Sequence, residues 1–188
     1  MPESAITKRA LAQALKDLMR QHPFQKISVG QICAACGMNR KSFYYHFRDK
    51  QDLVCWIFQS EFLASIRLTE DANGWSILSD ACNFLYAEHG FYRAVLAIDG
   101  QNSLREYLTQ QVRPLLVEVA RELFEGVNAQ ELDFCLSFYS DAFLASIIRW
   151  LSEPEPSPPE EYIAQLRQLL EITARIIDLI FPEKPPSI

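Results

Sequence analysis

The sequence predicts an all-α protein in which an N-terminal helix-turn-helix domain of three helices is followed by a C-terminal helical bundle. Three observations carry this. Apolar residues recur at spacings of three and four between successive chain breakers, as a helix with one buried face requires. No run alternates apolar and polar residues as a half-buried strand would. Residues that cap helices, Ser28, Asn39 and Asp49, stand where apolar patterns begin, and Gly37 and Pro23 stand where they end. The 188 residues are 49 % hydrophobic and 22 % charged with six glycines, which excludes collagen-like and disordered classes. A chain of that length buries about 70 % of its unfolded surface without a metal or disulfide.

In chain order, Ile6, Leu11, Ala14, Leu15 and Leu18 mark a first helix from about Ser4 to Gln21, stopped by His22-Pro23. Ser28 with Gln31 three places on is a capping box opening a short second helix that carries Val29, Ile32 and Cys33. Gly37 ends it, and Asn39 caps a third helix from Arg40 to about Phe47. Asp49 and Asp52 cap a fourth, running through Leu53, Trp56, Ile57 and Phe58. Asn73-Gly74, His89-Gly90, Asp99-Gly100 and Glu125-Gly126-Val127-Asn128 divide the remainder into further helices, one of them broken or kinked by Pro114. Glu153-Pro154-Glu155-Pro156-Ser157-Pro158-Pro159 is an extended connection before a last helix from about Pro158 to Phe181.

Charge divides the chain at residue 50. Residues 1–50 hold nine Lys and Arg against three acids, net +6, leaving nine basic and twenty-one acidic residues, net −12, for residues 51–188. A basic head on an acidic body points to a polyanion met by the head alone. The fold of the head decides which one. A short helix, a turn holding Gly37 and a second short helix form the unit that lays a recognition helix in the major groove of DNA. At about 100° per residue, Phe43 and Phe47 face the core while Lys41, Ser42 and Tyr45 face outward, flanked by Arg40 and Tyr44. Cations, a hydroxyl and two phenols are groups suited to base edges and phosphates. At Asp49-Lys50 the free amides of the next helix and a lysine suit a phosphate. A membrane or acidic protein as the partner of this head fits the polar face beside a capped turn less well.

The stretch Cys36-Gly37-Met38-Asn39-Arg40-Lys41-Ser42-Phe43-Tyr44-Tyr45-His46-Phe47-Arg48-Asp49-Lys50-Gln51-Asp52-Leu53, within residues 4–56, resembles the DNA-binding domain of the TetR family of bacterial regulators. The resemblance implies a homodimer on a pseudo-palindromic double-stranded operator, with Arg40, Lys41, Ser42 and Tyr44 approaching bases and Tyr45, His46 and Lys50 holding phosphates. Some members carry an additional base-reading arginine two residues into the second helix, where this chain has Gly30. In the body, Phe91-Tyr92-Arg93-Ala94-Val95-Leu96 and Gly100-Gln101-Asn102-Ser103-Leu104-Arg105-Glu106-Tyr107-Leu108 resemble regulators of the dihydroxyacetone-kinase activator type. That likeness implies an alternative output, coactivation in response to a protein partner.

The other chemical readings are weaker. Cys33 and Cys36 end a helix with no second pair and no nearby histidine, so they read as packing thiols, and no metal or cofactor is expected. His46 reads as phosphate-facing, His22 as ending a helix, and His89 as closing a helix end or lining a pocket. No phosphate loop, catalytic triad or paired carboxylates appear, which argues against an enzyme. Arg93, Gln101, Asn102, Arg105 and Tyr139 are the candidate polar groups of an effector pocket among apolar helices, although Gln101 and Asn102 serve equally as helix caps. The last helix is apolar around about half its circumference, wider than the ~100° stripe that one contact needs. The preceding helix pairs a broad face (Leu132, Cys135, Leu136, Tyr139, Phe143, Ile147, Trp150) with a separate one (Phe134, Phe138, Ala142, Ala145). These faces imply a four-helix dimer interface, with Phe138, Ala142, Ala145, Leu166, Leu169, Ile176 and Ile180 as its candidates. No apolar run reaches the ~18 residues of a membrane span and Met1-Pro2-Glu3-Ser4 does not begin a signal peptide, so a cytoplasmic protein is expected.

Overall fold

The computed structural model describes residues 2–65, 74–98, 104–108, 110 and 129–180, and no strand occurs among them. Helix α1 (Pro2–Met19) leads through a single 3₁₀ turn (Phe24–Lys26) to α2 (Val29–Ala35) and α3 (Arg40–His46). It packs against both. Leu11, Leu15, Ile27, Ile32 and Phe43 are fully enclosed between them, and Phe47 nearly so. Burying a side chain such as Phe43 stabilises by roughly 1.5–3 kcal/mol relative to leaving it exposed, so a few such residues hold this small unit together.

Helix α4 (Lys50–Ser65) packs against both α1 and α5 (Gly74–Ala87), with Leu53, Val54, Ile57 and Phe58 buried. A continuous helix, not a flexible connection, therefore joins the head to the body. Next come α6 (His89–Leu96), a helical stretch over 104–108, α7 (Ala129–Ser152) and α8 (Pro159–Ile180). α5 packs on α8, and α6 on α7. Three rings tie this arrangement together: Trp150 stacks on Tyr162 at 4.5 Å and 7°, and on Tyr86 at 5.9 Å and 14°. Two of their polar ends are also satisfied, since Trp150 Nε1 donates to the Ser157 carbonyl and the Tyr162 hydroxyl to Ser146 Oγ, both at 2.9 Å. Burial pushes the Tyr162 phenol up to about 12.

Several details differ from the sequence-based expectation. His89-Gly90 is the first turn of α6, and the break falls one residue earlier at Glu88. His89 Nδ1 lies 3.3 Å from the Tyr86 carbonyl, where a donor closes the end of α5. The proline-rich connection before α8 is packed: Pro156 is buried, and Ser157 holds the indole of Trp150. Tyr139 is half-exposed, not interior, because the inner row of α7 is Ser140, Leu144, Ile147 and Leu151, offset from it by one residue. Ala142 and Ala145 are exposed, Leu166 is half-buried, and Phe138 and Leu169 are exposed at 61 % and 57 %. Gln101, Asn102, the breaks at Asp99-Gly100 and 125–128, Pro114 and the side chains of Ile176 and Ile180 lie outside the described residues.

Candidate nucleic-acid interface

Local signals fix where α2 and α3 begin. Ser28 Oγ accepts the Gln31 amide while Gln31 Oε1 accepts the Ser28 amide, a complete capping box. Asn39 Oδ1 accepts the Ser42 amide at 2.9 Å. Between the helices Gly37 adopts φ +68°, the left-handed region in which a β-carbon is strained. The Met38 amide returns to the Cys33 carbonyl at 2.8 Å, closing α2 within one turn. Cys36 spends its thiol hydrogen on the carbonyls of Ile32 and Cys33, and burial raises the Cys33 thiol above its usual range.

α3 is thereby anchored on one side only. Phe43 and Phe47 pack inward, their rings 5.7 Å apart, and Phe47 meets Trp56 of α4 at 5.9 Å. On the outer side Tyr45 is 83 % and Tyr44 59 % exposed, and Arg40 and Lys41 are exposed beside them. Ser42 is half-buried at the first turn. His46 is half-buried, set edge-on to Tyr45 at 4.8 Å. A helix with its side chains is about 10–12 Å across, which suits a groove about 12 Å wide. The Arg40 guanidinium lies back across α2 over Gly30.

Lys50 departs from the arrangement expected of it. Its ammonium turns inward, donating to the carbonyls of Phe24 at 2.8 Å and Ile27 at 2.5 Å above the Phe24 ring. The Phe24 carbonyl, which opens the 3₁₀ turn and already accepts the Ile27 amide at 3.1 Å, and the Ile27 carbonyl just past it both lie within reach of a lysine at the start of α4. Burial lowers its pKa. The start of α4 is held separately, by Asp49 accepting the Asp52 amide and Asp52 accepting the Arg48 amide.

Three of the candidate effector groups, Arg93, Arg105 and Tyr139, lie among the described residues. Arg93 and Arg105 are exposed, with Arg105 Nη2 donating to the Leu96 carbonyl at 3.3 Å, and Tyr139 lies on the outer side of α7. None of the three lines the cleft of about 320 Å³ between the head and the 104–110 stretch, whose walls include Lys8, His46, Trp56 and Tyr107. Among the described residues, no group of His, Cys, Asp and Glu is placed to hold a metal ion.

A cation overlooked at the sequence level links head and body. Lys16 Nζ of α1 pairs with Glu61 of α4 at 2.6 Å and with Glu88 at 3.7 Å, over the Phe91 ring of α6. Beside these carboxylates the Tyr92 hydroxyl is buried without a hydrogen-bond partner among the described residues, and burial with both charges raises its pKa. No local pattern announces Lys16, because its partners lie 45 and 72 positions along the chain.

Residues 7–55 match the family model described as bacterial regulatory proteins, tetR family, and residues 74–172 match that described as transcriptional regulator C-terminal region. The HTH-type dhaKLM operon transcriptional activator DhaS of Lactococcus lactis subsp. lactis (strain IL1403) is 33 % identical over 100 residues, 53 % of this chain. The match spans about half of that curated relative, 54 % of its length. Among solved structures, the dihydroxyacetone kinase operon activator DhaS superposes with TM-score 0.68 at 25 % identity, covering 92 % of this chain and 98 % of the other. A TetR transcriptional regulator from Streptococcus agalactiae 2603V gives TM-score 0.63 at 20 % identity over 91 % and 95 %. That second likeness bears on the fold alone.

Proposed function

The chain belongs to the TetR family of bacterial regulatory proteins and is a transcription regulator, not an enzyme; on that premise we propose that it acts in the cytoplasm as a homodimer on a pseudo-palindromic double-stranded operator. Residues 1–50 are the DNA-binding head and 51–188 the regulatory and dimerisation body. The observation that carries this reading is the one-sided anchoring of α3, with Phe43 and Phe47 buried and Arg40, Lys41, Tyr44 and Tyr45 left on the surface. Arg40, Lys41, Ser42 and Tyr44 read bases, and Tyr45 and His46 hold phosphates. Lys50 has one ammonium proton left for a phosphate after its two carbonyl bonds.

One such head buries too little surface for tight specific binding, so two must be held about one DNA turn or a multiple apart. The partner face is the outer side of α7 and α8, where Phe134, Phe138, Leu169 and Ile172 are exposed and Ala142 and Ala145 leave room for close approach. Large apolar side chains left exposed on both helices support this reading. An effector that fits one arrangement of the body shifts the spacing of the heads by population shift, and Lys16, held by Glu61 and Glu88, is a contact through which it is transmitted.

The test is selection of sites from a random duplex library, followed by titration of a selected site at several salt concentrations. A palindromic consensus bound at two chains per site supports the reading; binding indifferent to sequence overturns it. A second reading is coactivation in response to a partner protein. It is favoured by the exposure of Arg93, Arg105 and Tyr139, because arginine and tyrosine are enriched among the residues that carry protein–protein binding energy. The relative described as a transcriptional activator supports it too. Transcription in vitro from the selected site, with and without cell extract, separates activation from repression.

A further inference from the structure

Position 30 shapes the recognition face through the side chain it lacks. A β-carbon on Gly30, the second residue of α2, would stand 2.7 Å from Arg40 Nη2, 3.1 Å from Nε and 3.3 Å from Cζ. Real β-carbons essentially never come within 3.0 Å of another heavy atom, so the guanidinium already fills the space that any other residue would need. Nη2 and Nε are nearer than Cζ, so the planar group turns its Nε–Nη2 edge to the helix. The charge also reaches Cys33, one turn further along α2, where it opposes the burial that raises that thiol.

We propose that Gly30 is a specificity-determining position: its bare backbone seats the Arg40 guanidinium against α2, so that this side chain meets its base pair already ordered. The proposal rests on the DNA-binding reading of Arg40. Arginine carries several rotatable bonds and five donors in a fixed fork. Ordering one such long side chain on association costs roughly a 2- to 12-fold factor in affinity, and a seat present in the free protein removes part of that cost. Any β-carbon at position 30 evicts the guanidinium. The fold does not suffer, since Arg40 is exposed and free to move aside, and alanine is the better helix former.

The experiment is Gly30→Ala, alone and combined with Arg40→Ala, on a duplex selected by the wild-type protein and on random duplex, with the Arg40 Nε–Hε resonance followed by NMR in the free protein. Gly30→Ala should keep the thermal midpoint, shift and sharpen that resonance as the side chain gains freedom, and weaken selected-site binding about 2- to 12-fold. Random-duplex affinity should not change, and the variant should lose preference at the base pair whose identity ceases to matter in Arg40→Ala. In the Arg40→Ala background the second substitution should add nothing. An unmoved resonance overturns the seat. A moved resonance with unchanged sequence preference overturns its part in specificity, and an equal loss with and without Arg40 places the effect in the α2 backbone. If Arg40→Ala itself leaves the selected site as tightly bound as before, the base-reading role fails whatever the resonance does.

Discussion

The outward face of α3 and the outward face of α7 and α8 are both exposed, for opposite physical reasons. On α3 the exposed residues are Arg40, Lys41, Tyr44 and Tyr45, groups that water solvates well and that lose little by waiting for a partner. On α7 and α8 they are Phe134 at 73 %, Phe138, Leu169 and Ile172, groups that water disfavours. A polar face tolerates dissociation, whereas an apolar one drives association. The contrast teaches that the proposed DNA contact is reversible and salt-sensitive and that the proposed chain–chain contact is closer to permanent, as a regulator that releases DNA without falling apart requires.

The largest expected effect breaks the apolar face. Ala145→Arg puts a charge where the proposed partner helix approaches, and an unpaired buried charge is costly. Because Ala145 is exposed in the single chain, the variant should keep its helical circular dichroism, sediment as a monomer and lose at least about 100-fold in palindrome affinity through lost bivalency. Outright unfolding would move that residue into the protomer core, and unchanged sedimentation would move the interface elsewhere on these helices.

The same comparison is sharpened from the polar side by Arg40→Ala, which should cost about 1–3 kcal/mol on the selected site and little on random duplex. Equal losses on both would make Arg40 a phosphate contact. Lys50→Ala combines the two kinds of effect. Loss of its carbonyl bonds should cost about 1–3 kcal/mol of stability, and loss of its remaining proton should lower the salt slope by about one unit. A stability loss with an unchanged slope would confine Lys50 to holding the 3₁₀ turn.

The smallest effect is in the pH dependence of stability. The thiols of Cys55 and Cys82 are pushed up to about 11 and about 12, chiefly by burial, from 9.0. Folded pKa values above the unfolded one mean stability that is complete below pH 9 and lost as pH rises through 11 and 12. Lys50 acts in the opposite sense, its lowered pKa adding stability as pH rises toward 10.5. Urea titrations from pH 8 upward should therefore show a decline that Cys82→Ala reduces and that Lys50→Met steepens. A decline unaffected by both would assign it to the raised phenols of Tyr92, Tyr107 and Tyr162.

Much of the head was legible in the sequence because its determinants are local. Ser28 with Gln31, Asn39 with Ser42 and Asp49 with Asp52 are three positions apart, and one glycine supplies the left-handed turn between two helices. The helical period alone then separates Phe43 and Phe47 from Lys41 and Tyr45. Periodicity was less exact on α7, where the pattern is apolar on two sides, and it could not tell that Ser140 is inward and Tyr139 outward. What only the tertiary structure decided lies between residues far apart in the chain. Lys50 turns to the carbonyls of Phe24 and Ile27, Lys16 joins Glu61 and Glu88, and Arg40 lies over Gly30. A cap is specified by two residues within one turn of helix, but the resting place of a long cation depends on which oxygens or empty volumes the packed chain brings within its reach, and no local spacing encodes that.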